Sequence, residues 1–324
     1  MKILVTGGAG FIGSHLCERL LSDGHEVTAL DSFSTGSISN LDNSFEKKGF
    51  TFVEGSILDV PKLNYLVKKS DYIFHLAAAV GVFNIVHNPI ESLLANIRGT
   101  ENVLEAAHKA DVPVFLTSSS EVYGKNNTQS IRETDDRVLG SPTILRWSYS
   151  EAKAIGESLC YAYFVEKGLQ VRIVRFFNTV GPRQLGNYGM VVPRFVSAAI
   201  ANEPITIYGT GLQTRCFAHV LDVIDAVVGL AFAPNAIGKA VNIGNSVEIS
   251  MNDLANEIIQ KTNSKSKIVH VPYLEAYGDG FEDMDRRIPN IDLINELIGW
   301  KPKRDLSNII SDIALEMKRR ARVS

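Results

Sequence analysis

Short apolar, β-branched runs alternate with longer helical stretches through the first 180 residues, and that rhythm leaves few folds open. The runs KILVTG (2–7), HEVTALD (25–31), FTFVEGS (50–56), DYIFHLA (71–77), VPVFLTSS (112–119) and LQVRIVRFFN (169–178) read as buried strands. Stretches such as GSHLCERLLSDG and PIESLLANIRGTENVLEAAHKA lie between them and read as helices. Strands joined by helical crossovers run parallel, so the pattern predicts a doubly wound α/β sheet. After about residue 180 the rhythm gives way to loops around GPRQLGNYG and YGTGLQTR, then to helical segments near 251 and 291. This part is expected to be a smaller C-terminal α/β domain that closes over a ligand. The division falls at 1–178 and 179–324, with the two parts interleaved and sharing a wide interface.

Composition excludes several classes. Hydrophobic residues make up 45% of the chain and charged residues 21%, an ordinary balance for a globular protein. A net charge of −3 provides no broad basic field, so nucleic acid is not an expected partner. The apolar stretch VVGLAFA (227–233) is far too short to cross a bilayer, and no membrane partner is expected. Cys17, Cys160 and Cys216 are an odd number at wide spacings, which suggests neither a disulfide framework nor a zinc cluster. The opening MKILVTGG runs directly into a strand without a signal-peptide pattern, so cytoplasmic residence is expected. The basic tail KRRARVS reads as a helix end with cations near its negative pole, with an anionic partner as the other reading.

The segment TGGAGFIGSH follows the first strand and opens a helix. Gly8, Gly10 and Gly13 fit G-x-G-x-x-G, and Gly7, Gly10 and Gly13 fit G-x-x-G-x-x-G equally well. Such glycines allow a tight turn, let backbone approach a pyrophosphate and bring helix against strand. The helix N-terminus then offers unpaired N–H groups to the anion. Asp31 ends the second strand, 18 residues past Gly13, where it could bind the adenosine ribose hydroxyls. The following SFSTGS holds no Arg or Lys for a 2′-phosphate, which favours NAD over NADP as cofactor.

Tyr-x-x-x-Lys occurs three times, at Tyr65–Lys69, Tyr149–Lys153 and Tyr163–Lys167. Only Tyr149 opens a helix that follows the serine-rich end of the fifth strand, LTSSSEVYG, where a parallel sheet binds its ligands. An i, i+4 spacing puts Tyr149 and Lys153 on one helix face. A phenol is a poor base at neutral pH until a cation stabilises its phenolate, and Lys153 could do that. A serine hydroxyl would orient a substrate alcohol for proton transfer to the tyrosinate. Tyr65 and Tyr163 read as surface or packing residues. His75 and His219 have no second His or Cys at ligand spacing, so packing roles are expected of them and no metal.

The chain resembles the extended short-chain dehydrogenase/reductase family, the NAD-dependent nucleotide-sugar epimerases and dehydratases. The resemblance runs through GGAGFIGSH, HLAA, NIRGTENVLEAA, SSSEVYG, YSEAK, FFNTVGPRQ, YGTGLQTRCFAHVLDV and LIGWKPK, in the family's order. It implies a Rossmann-type sheet with a nucleotide-sugar domain, and NAD recycled within each turnover. Ser119, Tyr149 and Lys153 would be the catalytic triad. Gly7, Gly10, Phe11, Ile12, Gly13, Asp31 and Ala77 would hold NAD together with Tyr149 and Lys153. Asn178 and Arg215 would hold the nucleotide diphosphate of a UDP-sugar. The helices at 90–110 and 149–167 would form a homodimer bundle.

Family members share oxidation at C4 of the hexose and differ in how the ketone is used. SSSEVYG is similar to the STSEVYG of UDP-glucuronate decarboxylases, and RRIPNIDLINELIGWKPK resembles their Arg-x-Pro-Asp/Ser-Ile segment. Ser120, Glu121 and Arg287 are thereby expected to join the catalytic set, with Arg287 also binding substrate and Arg286 beside it as a competitor for that place. A C4 ketone makes the C6 carboxylate a β-keto acid, which loses CO2 readily. Three features depart from the decarboxylase pattern: AAVGVFNIVHNP after HLA, RWSYSEAK around the tyrosine, and Ser56 near the adenine. A 4-epimerase acting on UDP-glucuronate or UDP-glucose is the alternative. In other readings Glu121 makes a structural salt bridge and Arg287 lies on the surface. A non-catalytic NAD sensor could dispense with Tyr149 or Lys153, and this chain keeps both.

Overall fold

The computed structural model describes residues 1–80, 88–186, 190–272, 275, 284 and 286–321. The six predicted runs form β1 (Lys2–Thr6), β2 (Glu26–Asp31), β3 (Phe50–Glu54), β4 (Tyr72–His75), β5 (Val114–Ser119) and β6 (Val171–Phe176). Four short strands follow: β7 (Thr179–Val180), β8 (Ile205–Tyr208), β9 (Thr214–Cys216) and β10 (Ala218–His219). Then β11 (Ala240–Ile243) returns to pair with β6, completing a seven-stranded parallel sheet ordered β11-β6-β5-β4-β1-β2-β3. The Rossmann-type α/β architecture expected from the sequence is therefore present. Its order reverses between β1 and β4, and a crevice at the carboxyl ends of these strands is where such sheets hold ligands.

Successive residues of β1 enter different cores, Ile3 and Val5 on one face and Leu4 on the other. Burial on both faces is why these strands read as continuous apolar runs. The first face is covered by α1 (Phe11–Ser22), whose Leu16 and Leu20 join the Ile3 cluster. The short α2 (Asp42–Phe45) leads to β3. The second face carries α3 (Val60–Val67), α4 (Pro89–Ala110) and α5 (Ser148–Lys167), through Leu63, Leu104 and Cys160 among others. Asp59 caps α3 by accepting from Lys62 N, and Asp111 closes α4 in the left-handed region at φ 53°.

In the C-terminal part, α6 (Val191–Ala201), α8 (Met251–Thr262) and α10 (Leu306–Arg320) surround β8, with Phe195, Ile207, Ile258 and Ile310 in a third core. The other elements are α7 (Val220–Ala231), β12 (Glu248–Ser250), β13 (Ile268–Val271) and α9 (Asp292–Ile298). Helix α7 joins the first core beside α1 through Val223, Ile224 and Val227. The region after 180 is thus more regular than its sequence suggests. Helix α7 is buried and apolar nearly all round, so it lacks a polar stripe to mark it. Four-residue β11 is too short for a periodic signal. The basic tail does end a helix: Lys318, Arg319 and Arg320 occupy the last turn of α10, and both arginines pair with Glu316.

Candidate active site

The loop from β1 to α1 is shaped by close approach. Gly7 sits at φ +73°, and a Cβ there would stand 2.7 Å from Ala77 N at the end of β4. A Cβ on Gly13 would fall 2.1 Å from Gly7 O, so helix and loop can cross only if residue 13 has no side chain. Gly10 donates to Gly7 O at 3.1 Å and serves as the N-cap of α1 without any side-chain cap. Phe11 and Ile12 form the uncapped first turn, whose N–H groups have no intrahelical acceptors. A pyrophosphate would satisfy them. Asp31 receives Ala9 N at 2.9 Å and Phe33 N at 2.8 Å, and its burial pushes the carboxyl upward. The loop thus has the glycines, free donors and acidic strand end that suit NAD. Gly7, Gly10 and Gly13 make the tight crossing, while Gly8 packs on Ala29, where a Cβ would meet Ala29 Cβ at 2.6 Å.

Ser119 ends β5 and caps a one-turn 3-10 helix, Ser120–Tyr123, by accepting from Glu121 N at 3.2 Å. Tyr149, in the first turn of α5, hydrogen-bonds the Ser119 side chain. Burial and the nearby Glu121 charge raise the phenol above its ordinary range. Lys153, one turn on, donates to Thr117 O at 2.9 Å and stands 5.9 Å from the Tyr149 ring centroid. Burial lowers its ammonium to about 8, with Glu157 opposing. The other two pairs lie elsewhere: Tyr65 is exposed on α3, and Tyr163 packs beside the second core.

The structure brings Glu121 and Arg287 together across 166 residues of sequence. Arg287 Nη1 stands 2.6 Å from Glu121 Oε1 and donates to Ser120 Oγ at 3.0 Å. Arg146 Nη1 takes the other carboxylate oxygen at 3.0 Å. Burial would push the Glu121 carboxyl up, but the Arg287 and Arg146 guanidinia overcome it and hold it at about 2. Glu121 is therefore an anion throughout the neutral range. Arg287 is 4% exposed, and its buried Nε has no hydrogen-bond partner among the described residues. Arg286 turns the other way and makes an exposed bidentate pair with Glu248, which leaves the site to Arg287. Arg146, inside the RWSYSEAK segment, was not among the expected residues. It stacks on Trp147, with Cζ 5.1 Å from the ring centroid, and its place in the residues just before the helix was the available signal.

Asn178 and Arg215 lie on neighbouring segments. Asn178 Nδ2 donates to Cys216 O at 3.0 Å, and Arg215 projects from β9, where its register partner on β12 is Ile249. His75 is buried between Thr6 Oγ1 at 2.8 Å and Thr100 Oγ1 at 3.2 Å, and burial lowers its imidazole to about 3. His219 caps α7 through Leu221 N and meets Asp312 at 3.1 Å. Among the described residues no group of three His, Cys, Asp or Glu side chains could hold a metal. Ser56 accepts from Leu58 N in a local turn. Most of the AAVGVFNIVHNP segment, 81–87, lies outside the described residues.

A Rossmann-type sheet with this glycine crossing and a Ser–Tyr–Lys cluster defines a nicotinamide-dependent short-chain dehydrogenase-type protein. The profile of the NAD dependent epimerase/dehydratase family matches residues 3–244, and the chain belongs to that family. It is 42% identical over 303 residues to the UDP-N-acetyl-alpha-D-glucosaminuronate decarboxylase of Bacillus cytotoxicus, covering 93% of this chain and 92% of that one. It is 36% identical to UDP-glucuronic acid decarboxylase 1 of Xenopus tropicalis, over 93% of this chain and 68% of that one. Among solved structures it is similar to a UDP-glucuronic acid 4-epimerase from Bacillus cereus in complex with UDP-glucuronic acid and NAD. The TM-score is 0.89 at 28% identity, covering 98% of this chain and 99% of that one. No helix among the described residues is long and apolar enough to cross a membrane.

Proposed function

We propose that this protein is an NAD-dependent decarboxylase of a UDP-linked hexuronate, either UDP-glucuronate or its 2-acetamido counterpart. The observation that carries this reading is the Arg287 guanidinium, brought across 166 residues onto Glu121 and onto Ser120, the neighbour of the Ser119 that Tyr149 bonds. A guanidinium at that place suits charge-assisted pairing with the substrate's C6 carboxylate. A UDP-glucose 4-epimerase has no carboxylate to meet there, while a UDP-glucuronate 4-epimerase does, and loss of CO2 is what separates it from a decarboxylase. Relatives named as UDP-uronate decarboxylases support the same reading.

Residues 1–178 form the cofactor half and 179–324 the substrate half, which returns β11 to the sheet. Asn178 and Arg215 hold the nucleotide diphosphate. Gly7, Gly10, Gly13, Phe11 and Ile12 hold the NAD pyrophosphate, Asp31 the adenosine ribose, and Ala77 the floor of the groove. NAD, when bound, would supply the hydride acceptor for oxidation at C4. Ser119 orients the C4 hydroxyl and Tyr149 takes its proton; the Lys153 ammonium lowers the cost of the phenolate. The Glu121 anion stabilises Arg287 against the substrate carboxylate. Held at about 2, Glu121 is not the acid that protonates C5.

A homodimer is proposed through α4 and α5, which pack side by side and leave Ile90, Leu94, Ile155, Tyr161 and Val165 exposed. Three buried, unpaired cysteines suit the reducing cytoplasm. The test of the activity is mass spectrometry of the sugar nucleotide after incubation with NAD and UDP-glucuronate or UDP-N-acetylglucosaminuronate. Loss of one CO2 from either substrate supports the proposal and identifies the C2 substituent accepted. Unchanged mass with a new chromatographic peak would make the protein a 4-epimerase.

A further inference from the structure

Glu121 and Arg287 sit on two short irregular segments, the single 3-10 turn Ser120–Tyr123 and the stretch 286–291 that leads into α9. Neither segment has a regular element of its own to fix the distance between the two side chains. Both meet one residue, Asn242 on β11, which is fully buried. Its Oδ1 accepts from Tyr123 Oη at 2.8 Å, two residues past Glu121. Its Nδ2 donates to Ile131 O at 3.0 Å and, more loosely, to Asn290 O at 3.5 Å. Ile131 in turn is bonded on both sides to the arginine-bearing segment: Ile131 N donates to Ile288 O and Asn290 N to Ile131 O, each at 2.8 Å. Around this amide, Arg175 donates to Tyr123 Oη at 2.7 Å and is itself fixed by a bidentate pair with Glu157.

We infer that Asn242 is a positioning residue that sets Glu121 against Arg287, acting through Tyr123 on one side and Ile131 and Asn290 on the other. This rests on the decarboxylase reading for its chemical consequence, though not for its geometry. Only an amide offers an acceptor and a donor pair from one short side chain. Aspartate at 242 would set a carboxylate oxygen against two carbonyl oxygens, and alanine would leave the Tyr123 hydroxyl and those carbonyls without their partner. Lys153 is held apart from this network by Thr117 O, and Tyr149 bonds Ser119 at the end of β5, which meets the Glu121 turn through Glu121 N and not through Asn242. Disturbing Asn242 should therefore slow the step that needs Glu121 and Arg287 more than the oxidation at C4.

The experiment compares wild type, Asn242→Ala, Asn242→Asp and Tyr123→Phe in single turnover with UDP-glucuronate, reading NADH formation and CO2 release together. CO2 release is expected to fall roughly 10- to 100-fold in the Asn242 variants, as for a misplacement of about 1 Å, with NADH formation changed less than about threefold. Tyr123→Phe, which keeps the ring in the core, should shift the same ratio in the same direction by a smaller factor. Hydrogen exchange on the ligand-free variants supplies a readout that needs no activity. Amides of 120–123 and 288–290 should lose protection together while β4 and α4 keep theirs. A proportional fall of both chemical steps, or exchange rising across the whole sheet, would overturn the inference. If wild type releases no CO2 yet the two segments loosen together in the variants, the positioning role stands and the assigned reaction falls.

Discussion

Glu121 shows how one residue can be legible in identity and illegible in setting. SSSEVYG marks it, and the Arg287 segment marks its partner, because both lie in motifs with a recognisable order. Arg146 was hidden: an arginine two residues before a helix reads as surface until the fold turns it onto a carboxylate. Replacing Glu121 by Gln leaves two buried arginines facing a neutral amide, with a destabilisation of roughly 3 kcal/mol at neutral pH, the usual cost of breaking a buried pair. Its pH dependence has a definite sign. The folded carboxyl is held at about 2, below its unfolded value of about 4.3, so its contribution is present above the unfolded value and is lost as pH falls towards 2. The difference in Tm between wild type and Glu121→Gln, followed by calorimetry, should be full above about pH 5 and close as the pH approaches 2. The same variant should lose CO2 release by at least about 100-fold while still binding NAD. Tyr149→Phe should abolish turnover with NAD binding retained, as read by product formation and titration calorimetry; unchanged activity would remove Tyr149 as the base.

At the scale of elements, the six strands up to β6 were readable as continuous apolar runs, and the helices α1 and α4 by a period and a punctuating residue. Pro89 opens α4, and the glycines open α1. What could not be read was β11, four residues without periodicity, and α7, buried on too many sides to show a polar face. Nor could spacing alone choose between Gly7 and Gly8 for the phosphate loop; the close approach of Gly13 to Gly7 O decides it. That contact predicts that Gly13→Ala forces loop and helix apart. An overpacking cost of about 1–3 kcal/mol, if borne by the cofactor-binding form, corresponds to a loss of NAD affinity of roughly 5- to 150-fold. Titration calorimetry would measure it, and an unchanged Kd would mean that the crossing relaxes without disturbing the cofactor loop.

For the molecule as a whole, the sheet and the C-terminal part meet where β11 returns beside β6, and the Glu121–Arg287 pair joins a residue from each. The proposed dimer buries α4 and α5, so a charge there should oppose association: Val165→Glu should shift the sedimentation coefficient from dimer to monomer without moving NAD affinity. The proposed role of Glu121, Arg287 and Ser120 is to convert a shared C4 oxidation into loss of the C6 carboxylate. Its most direct test is to trap labelled CO2 from UDP-glucuronate carrying the label in that carboxylate, with NAD present. Label should be released in step with consumption of substrate, and none should be released by Glu121→Gln. Label retained in a sugar nucleotide of unchanged mass, formed equally well by both proteins, would contradict it.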